Sequence, residues 1–362
     1  MTARLCGQLV MGGFEGTELP SSYERALRDG RRCGAVLFRR NVLELDQVAA
    51  LNRRICDASD GPLIAVDQEG GRVARLKAPF IELPPMRKFG EAADLELTRA
   101  AAEEVGRQLR VFGFNMNFAP VMDVDSNPDN PVIGDRAFGR DPRTVMRHGV
   151  AFIRGLQSEV LACAKHFPGH GDTSVDSHLE LPRVDHDQAR LVQVEVPPFR
   201  AASGAGVASM MTAHVVYPAL DDGPATLSRA ICGALLRREI GFEGVLFCDD
   251  LEMGAIATRH GIEEAAVLAV EAGCDVLLIC KDEDAQDRAH EALVRRCEKD
   301  ARFRARCEEA ALRVKRIREL CPARAGTRED IARTVHGPST LILKQRLAAL
   351  GDSTGHDPTE SP

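Results

Sequence analysis

GVLFCDD (residues 244–250) and CDVLLICK (274–281) are the segments from which the fold can be read. Each is a short apolar run that ends or begins at charged residues, and residues 262–272 between them carry apolar positions at helical spacing. Continuous apolarity, without the alternation of a half-exposed strand, suits a strand covered on both faces. The local unit is therefore strand, helix, strand, and such alternation argues for a parallel sheet. Moving outward, similar runs occur at GQLVMGG (7–13), CGAVLFRR (33–40), PLIAVDQEG (62–70), FNMNFAPVMDV (114–124), LACAKHFPG (161–169) and VASMMTAHV (207–215). Amphipathic patterns over 97–111, 143–157, 229–239 and 284–298 predict helices in the gaps.

The resulting set of eight strands predicts a closed (β/α)8 TIM barrel, a fold of about 250 residues before insertions. An open doubly wound sheet is the alternative, but no GxGxxG follows an early strand, which weakens it for a dinucleotide enzyme. The Pro-rich APFIELPPMRK (78–88) reads as a surface loop. The expected organisation is one barrel domain over 1–322 and a C-terminal helical appendage over 323–350. A polar tail over 351–362 is expected to be disordered.

Composition narrows the function. The 362 residues are 44% hydrophobic, enough for a large core, and the net charge of -7 shows no basic excess. With no Trp and two Tyr, a nucleic-acid groove built on stacking aromatics is not expected. No apolar run reaches the roughly 18 residues that a membrane span needs. The N-terminal MTARLCGQLVMGGFEG lacks the long apolar stretch of a signal peptide. The 11 Cys are scattered, form no CxxC, and in several cases sit inside apolar runs. They read as small core residues of a protein in a reducing cytoplasm rather than as a disulfide framework.

In a barrel of this kind, reactive groups gather at the C-terminal ends of the strands. Asp67 follows the third run, Asp123 and Asp125 the fourth, Lys165 and His166 the fifth, His214 the sixth, and Asp249 with Asp250 the seventh. Polar residues at corresponding points of consecutive strands predict one shared pocket. The densest segment is KHFPGHGDTSVDSH (165–178). Its His and Asp residues could suit a metal, but Pro168, Gly169 and Gly171 make it a mobile loop rather than a rigid ligand face, so no metal is expected. A strand-end Lys could also form a Schiff base. Lys165 reads better as a charged donor to substrate hydroxyls.

KHFPGHGDTSVDSH closely resembles the signature of glycoside hydrolase family 3 enzymes of the β-N-acetylglucosaminidase (β-N-acetylhexosaminidase) type, which act in bacterial cell-wall recycling. The resemblance runs over about residues 1–320, through DQEGGRVARL (67–76), IGDRAFG (133–139) and LFCDDLEMGAI (246–256). It implies a retaining exo-glycosidase that releases terminal β-linked N-acetylglucosamine from peptidoglycan fragments, without metal or organic cofactor. The partner is then a small carbohydrate, a muropeptide or wall disaccharide. Asp249 is the implied nucleophile, and His178 the implied acid/base, oriented by Asp176. A carboxylate beside imidazolium stabilises the charge and fixes the ring. Neighbours on an extended strand point to opposite faces, so Asp250 is expected to cap a helix or brace the loop instead.

Asp67, Arg75, Arg136, Lys165 and His166 match the family's sugar contacts, although Arg72 lies in the same segment and could be confused with Arg75. Gly70 and Gly71 are expected to pass close to ligand or to turn sharply. His214 reads equally as pocket wall or core. Three alternatives remain. A family 3 β-glucosidase typically draws its acid/base from elsewhere, and this chain carries the Asp-Ser-His loop. An N-acetylglucosaminide phosphorylase stays open, because a neutral His would not repel phosphate. A non-catalytic barrel that binds wall fragments would not need Asp249, Asp176 and His178 intact. The sequence is silent on oligomeric state.

Overall fold

The computed structural model describes residues 1–175, 177, 181–351 and 357–359. The apolar runs supply the eight strands of a closed barrel: β1 (Val10–Gly12), β2 (Gly34–Leu37), β3 (Leu63–Val66), β4 (Met116–Asn117), β5 (Leu161–Phe167), β6 (Ser209–Thr212), β7 (Val245–Asp250) and β8 (Val276–Ile279). Every strand runs parallel to its sequence neighbour, and the ring closes where Val10 of β1 lies beside Leu277 of β8. The expected (β/α)8 barrel is therefore the observed fold.

Side-chain alternation splits these strands into two apolar layers. Val36, Ala65, Cys163, Met211, Phe247 and Leu278 belong to a layer that includes Met116 and Phe118. Their neighbours Leu37, Ile64, Ala164, Met210, Leu246 and Ile279 join the larger layer shared with the surrounding helices. The first layer fills the barrel; the second cements the helices to it. The helix Ala301–Leu320 contributes Val314 and Ile317 to the inner layer. Its Arg318 donates to the carbonyls of Asp60 and Gly61 just ahead of β3. That helix closes the barrel at the N-terminal ends of the strands, opposite their C-terminal tips.

Outer helices begin where short polar residues cap them. Asp94 accepts from the Leu97 N–H at the start of Leu95–Val111, and Asp141 from Thr144 at Pro142–Leu156. Arg229–Glu239 is wound as a π-helix, capped by Ser228. Helices Ile262–Ala272 and Glu283–Lys299 flank β8 in sequence. Arg328–Val335 and Pro338–Ala348 follow the barrel and lie along Leu95–Val111, where the Thr340 hydroxyl donates to Glu104 at 2.7 Å.

Two local expectations are corrected. Residues 118–124 leave the regular sheet after β4. Pro120 has no N–H to give a ladder, but the carbonyls of Ala119 and Pro120 accept from Cys163 and Lys165, and Val121 bridges to Lys165, so the segment continues along the barrel as irregular strand. The segment 78–88 is not a surface loop, because Phe80, Ile81, Leu83 and Met86 are buried in the outer core. Its apolar residues outweigh its prolines. Gly70 (φ +118°) and Gly71 (φ +58°) make the turn of a hairpin, Gln68–Gly70 with Val73–Ala74, and are packed by Leu83, Pro85 and Met86. All eleven cysteines are free thiols, and all but Cys56 are buried. Among the described residues, no helix is long and apolar enough to cross a membrane.

Phe247 sits in the inner layer, edge-on to Phe118 with centroids 5.4 Å apart. Phe247→Ala is expected to lower unfolding free energy by about 3–5 kcal/mol. Urea denaturation followed by circular dichroism measures it, and a change within error would contradict the packing described.

Candidate active site

The inner-layer alternation carries past the strand ends and selects which polar groups face the barrel mouth. On β3, Leu63 and Ala65 point inward, so Asp67 comes next on that face. On β5, Leu161 and Cys163 point inward and Lys165 follows; on β7, Val245 and Phe247 lead to Asp249. These side chains border one cavity of about 530 Å³, together with Arg75, Arg136 and His166. That volume is in the usual range for small-molecule sites, roughly 300–1,000 Å³. Phe118, Met211 and Leu278 form apolar parts of its lining.

A buried ion cluster forms one side of the cavity. Lys165 Nζ lies 2.6 Å from Asp67 and 2.6 Å from Glu69. Arg136 holds Glu69 through Nε and Nη2, both at 2.9 Å, and its Nη1 donates to the Val132 carbonyl at 3.2 Å. Burial would raise the Glu69 carboxyl, but the Arg136 and Lys165 charges overcome it and hold the group well below the usual range. Burial likewise opposes the charge on Lys165, and Asp67 and Glu69 more than restore it. Arg75 Nη2 is 3.5 Å from Asp67. Arg72 instead turns to Asp135, 3.0 Å away, and to the carbonyls of Val132 and Ile133, which settles which arginine of that segment borders the cavity.

A second cluster orients the β5 loop. Asp123 is wholly buried and accepts from His166 Nδ1 at 2.7 Å, from the His170 N–H at 2.7 Å and from the His166 N–H at 3.2 Å. Its burial favours the neutral acid, but the His166 ring and these donors keep the carboxyl below its ordinary value. His166 thereby presents its other edge to the cavity. The loop start is pinned: the Tyr217 hydroxyl donates to the Gly169 carbonyl, and Asn130 donates to the His170 carbonyl at 2.9 Å. A Cβ on Gly171 would stand 1.7 Å from the Val124 carbonyl oxygen, so only glycine lets the loop pass. The glycines at 169 and 171 serve close packing against Glu195 and Val124.

Asp249 and Asp250 both border the cavity, but their partners differ. Asp250 Oδ1 accepts the backbone N–H of Glu252 at 3.1 Å and of Cys280 at 3.2 Å, bracing the loop. Burial, with Glu252 nearby, pushes its carboxyl up to about 7. His214 Nε2 donates to the Asp250 carbonyl at 2.9 Å while Nδ1 pairs with the Thr226 hydroxyl at 2.7 Å. The role left open for His214 is thus to hold the backbone of the acid pair. Asp176 and His178 lie outside the described residues. Ser177, between them in the chain, borders the cavity; its hydroxyl is 3.0 Å from His170 Nε2, and its carbonyl accepts the Ala255 N–H at 3.3 Å. Asp123, a strand-end acid, here orients the β5 loop, and Glu69 is the site residue that strand-end reading passes over. Glu69 stands two residues after Asp67, so strand periodicity was the available signal.

Residues 5–317 match the family model described as glycosyl hydrolase family 3 N terminal domain. The chain belongs to this family. The hydrolase is 40% identical over 286 residues to a beta-hexosaminidase of Thiobacillus denitrificans, covering 77% of this chain and 79% of that protein. It is 40% identical over 292 residues to a beta-hexosaminidase of Neisseria meningitidis serogroup C, covering 78% and 81%. Its structure superposes on a glycoside hydrolase family 3 beta-N-acetylglucosaminidase from Paenibacillus with a TM-score of 0.90 and 38% identity, over 97% of this chain and 68% of that one. NagZ from Neisseria gonorrhoeae, solved in complex with N-trifluoroacetyl-D-glucosamine, matches with a TM-score of 0.81 and 32% identity, over 95% of this chain and 98% of that one.

Glu69→Gln leaves two buried cations short of a partner, and a loss of about 3–5 kcal/mol is expected at neutral pH. Because the folded pKa is depressed, the wild-type contribution is full above the unfolded carboxylate value, about 4, and is lost as pH falls below it. Acid titration of stability should therefore be shallower in Glu69→Gln; an identical acid limb contradicts the pairing.

Burial, with the His166 ring beside it, lowers His170 from 6.5 to about 4. The unfolded chain then takes up this proton first, so stability should decline as pH falls from 6.5 towards 4. His170→Asn should remove that part of the slope, measured by denaturant midpoints across the window. A slope unchanged in the variant would refute it.

Proposed function

We propose that this hydrolase is a retaining exo-β-N-acetylglucosaminidase that acts on peptidoglycan fragments, such as a muropeptide or wall disaccharide, in the cytoplasm. The observation that carries the reading is the inward projection of Asp249 from β7 into the same cavity as Lys165, Asp67 and Arg75. A carboxylate on a rigid strand tip can be aimed at an anomeric carbon, while a buried ion cluster supplies charge-assisted hydrogen bonds to sugar hydroxyls. The relatives' names, beta-hexosaminidase and beta-N-acetylglucosaminidase, support the acetamido sugar. Eleven unpaired thiols suit a reducing compartment.

The reaction is a double displacement. Asp249 attacks the anomeric carbon as His178, steadied by Asp176, protonates the leaving oxygen, and a glycosyl-enzyme forms. Water that gives its proton to the now neutral His178 then releases the sugar with its β configuration kept. The position of Ser177 at the cavity edge, bonded to the loop that follows Asp249, supports a role for its chain neighbours there. Asp67, Arg75, Arg136, Lys165 and His166 grip the sugar hydroxyls, with Asp123 setting the orientation of His166.

The deciding assay compares 4-nitrophenyl N-acetyl-β-glucosaminide with the corresponding β-glucoside, and the acetamido sugar should be turned over at the higher kcat/KM. Asp249→Ala should lose on the order of a thousandfold or more in kcat while keeping its circular dichroism spectrum. His178→Ala should lose about 10²–10⁴ on an unactivated disaccharide and far less on the nitrophenyl substrate. Equal losses on both would exclude His178 as the proton donor.

A further inference from the structure

Arg75 borders the cavity with a side chain wholly shielded from solvent, and part of what shields it comes from the far end of the chain. The Asp357 carboxylate pairs with its Nη1, and its Nη2 donates to the Thr359 hydroxyl at 2.6 Å. Asp357 Oδ1 also accepts the Thr359 N–H at 2.8 Å and hydroxyl at 2.7 Å, which folds the three residues into a turn around the carboxylate. Thr359 borders the same cavity as Asp249 and Lys165.

The fold delivers this segment to the site. The helix Pro338–Ala348 is docked by Lys344, whose Nζ donates to the Pro79 carbonyl at 3.2 Å, a few residues beyond Arg75. The chain from Leu350 to Asp357 can reach about 25 Å when extended. A carboxylate and a hydroxyl on a guanidinium are the partners a sugar's hydroxyls would have to replace there. A tethered partner competes at an effective concentration on the order of millimolar for a short linker.

We propose that Asp357–Thr359 is an internal ligand of the sugar pocket, held by Arg75, which substrate must displace. The inference rests on Arg75 being a sugar contact, as in the function proposed above. A tethered competitor lowers the fraction of binding-competent molecules and so raises KM, while saturating substrate displaces it and leaves kcat unchanged.

The test uses the full chain. Asp357→Ala should lower KM for the nitrophenyl N-acetylglucosaminide by about three- to tenfold at constant kcat, as expected for a pocket whose competent fraction is restored. A peptide of residues 351–362, GDSTGHDPTESP, added to that variant should restore the higher KM competitively. A KM that stays the same or rises overturns the proposal; a rise would make the segment a wall of the sugar site. Fluorescence anisotropy of the labelled peptide on the Asp357→Ala chain reads the same contact without turnover. The peptide should bind, and a peptide carrying Asp357→Asn should bind at least several-fold more weakly. Absence of peptide binding overturns the internal ligand, whereas peptide binding in a chain that hydrolyses no N-acetylglucosaminide overturns the enzymatic reading alone.

Discussion

Glu69 lies 2.6 Å from Lys165 and 2.9 Å from two nitrogens of Arg136, and none of these three side chains is more than 3% exposed. Charges removed from water in this way are tolerated only when their partners are fixed. Once Glu69 fixes Lys165, Asp67 is fixed too, at 2.6 Å on the other side of the ammonium, and Arg75 stands against Asp67. These charged groups at the cavity are therefore set before any ligand arrives. A pocket arranged in this way loses little further entropy on binding. It also accounts for the burial of Glu69 beside groups that border the cavity.

The β7 and β5 side of the cavity is held by a different device. On β7 the alternation of the pleat gives two adjacent acids different tasks. Asp249 continues the inward row of Val245 and Phe247, whereas Asp250 accepts backbone N–H groups from Glu252 and Cys280. His214 fastens the carbonyl of Asp250, and so the tip of the strand, to Thr226. Around β5, Asp123 gathers His166 and His170. The close passage of Gly171 under Val124 holds the loop start against the barrel rim. Rigid strands and a pinned loop thus converge on one cavity, with the internal ligand at Arg75 on its ion-cluster side.

Particular residues show where local reading stops. Asp67, Lys165 and Asp249 were legible because a strand end after an apolar run marks the barrel mouth. Glu69 escaped because it stands in a glycine-rich hairpin that reads as a turn, and its importance lies in partners at residues 136 and 165. Arg72 and Arg75 are alike in sequence, and the Asp135 carboxylate with the Val132 and Ile133 carbonyls draws one of them away. The prolines of 78–88 suggested exposure, but the hairpin ahead of them needed a packed floor, and Phe80, Ile81 and Leu83 provide part of the core there.

The sequence by itself determined the strands, most helices, the inward and outward faces and the order in which chemical groups reach the mouth. Those properties follow from hydrophobic period and backbone geometry, which act over a few residues. Tertiary structure alone decided which charges pair, which arginine borders the cavity and where Asp357 lands. Such choices depend on distances between residues far apart in the chain, and ring closure sets those distances only after every strand is in place.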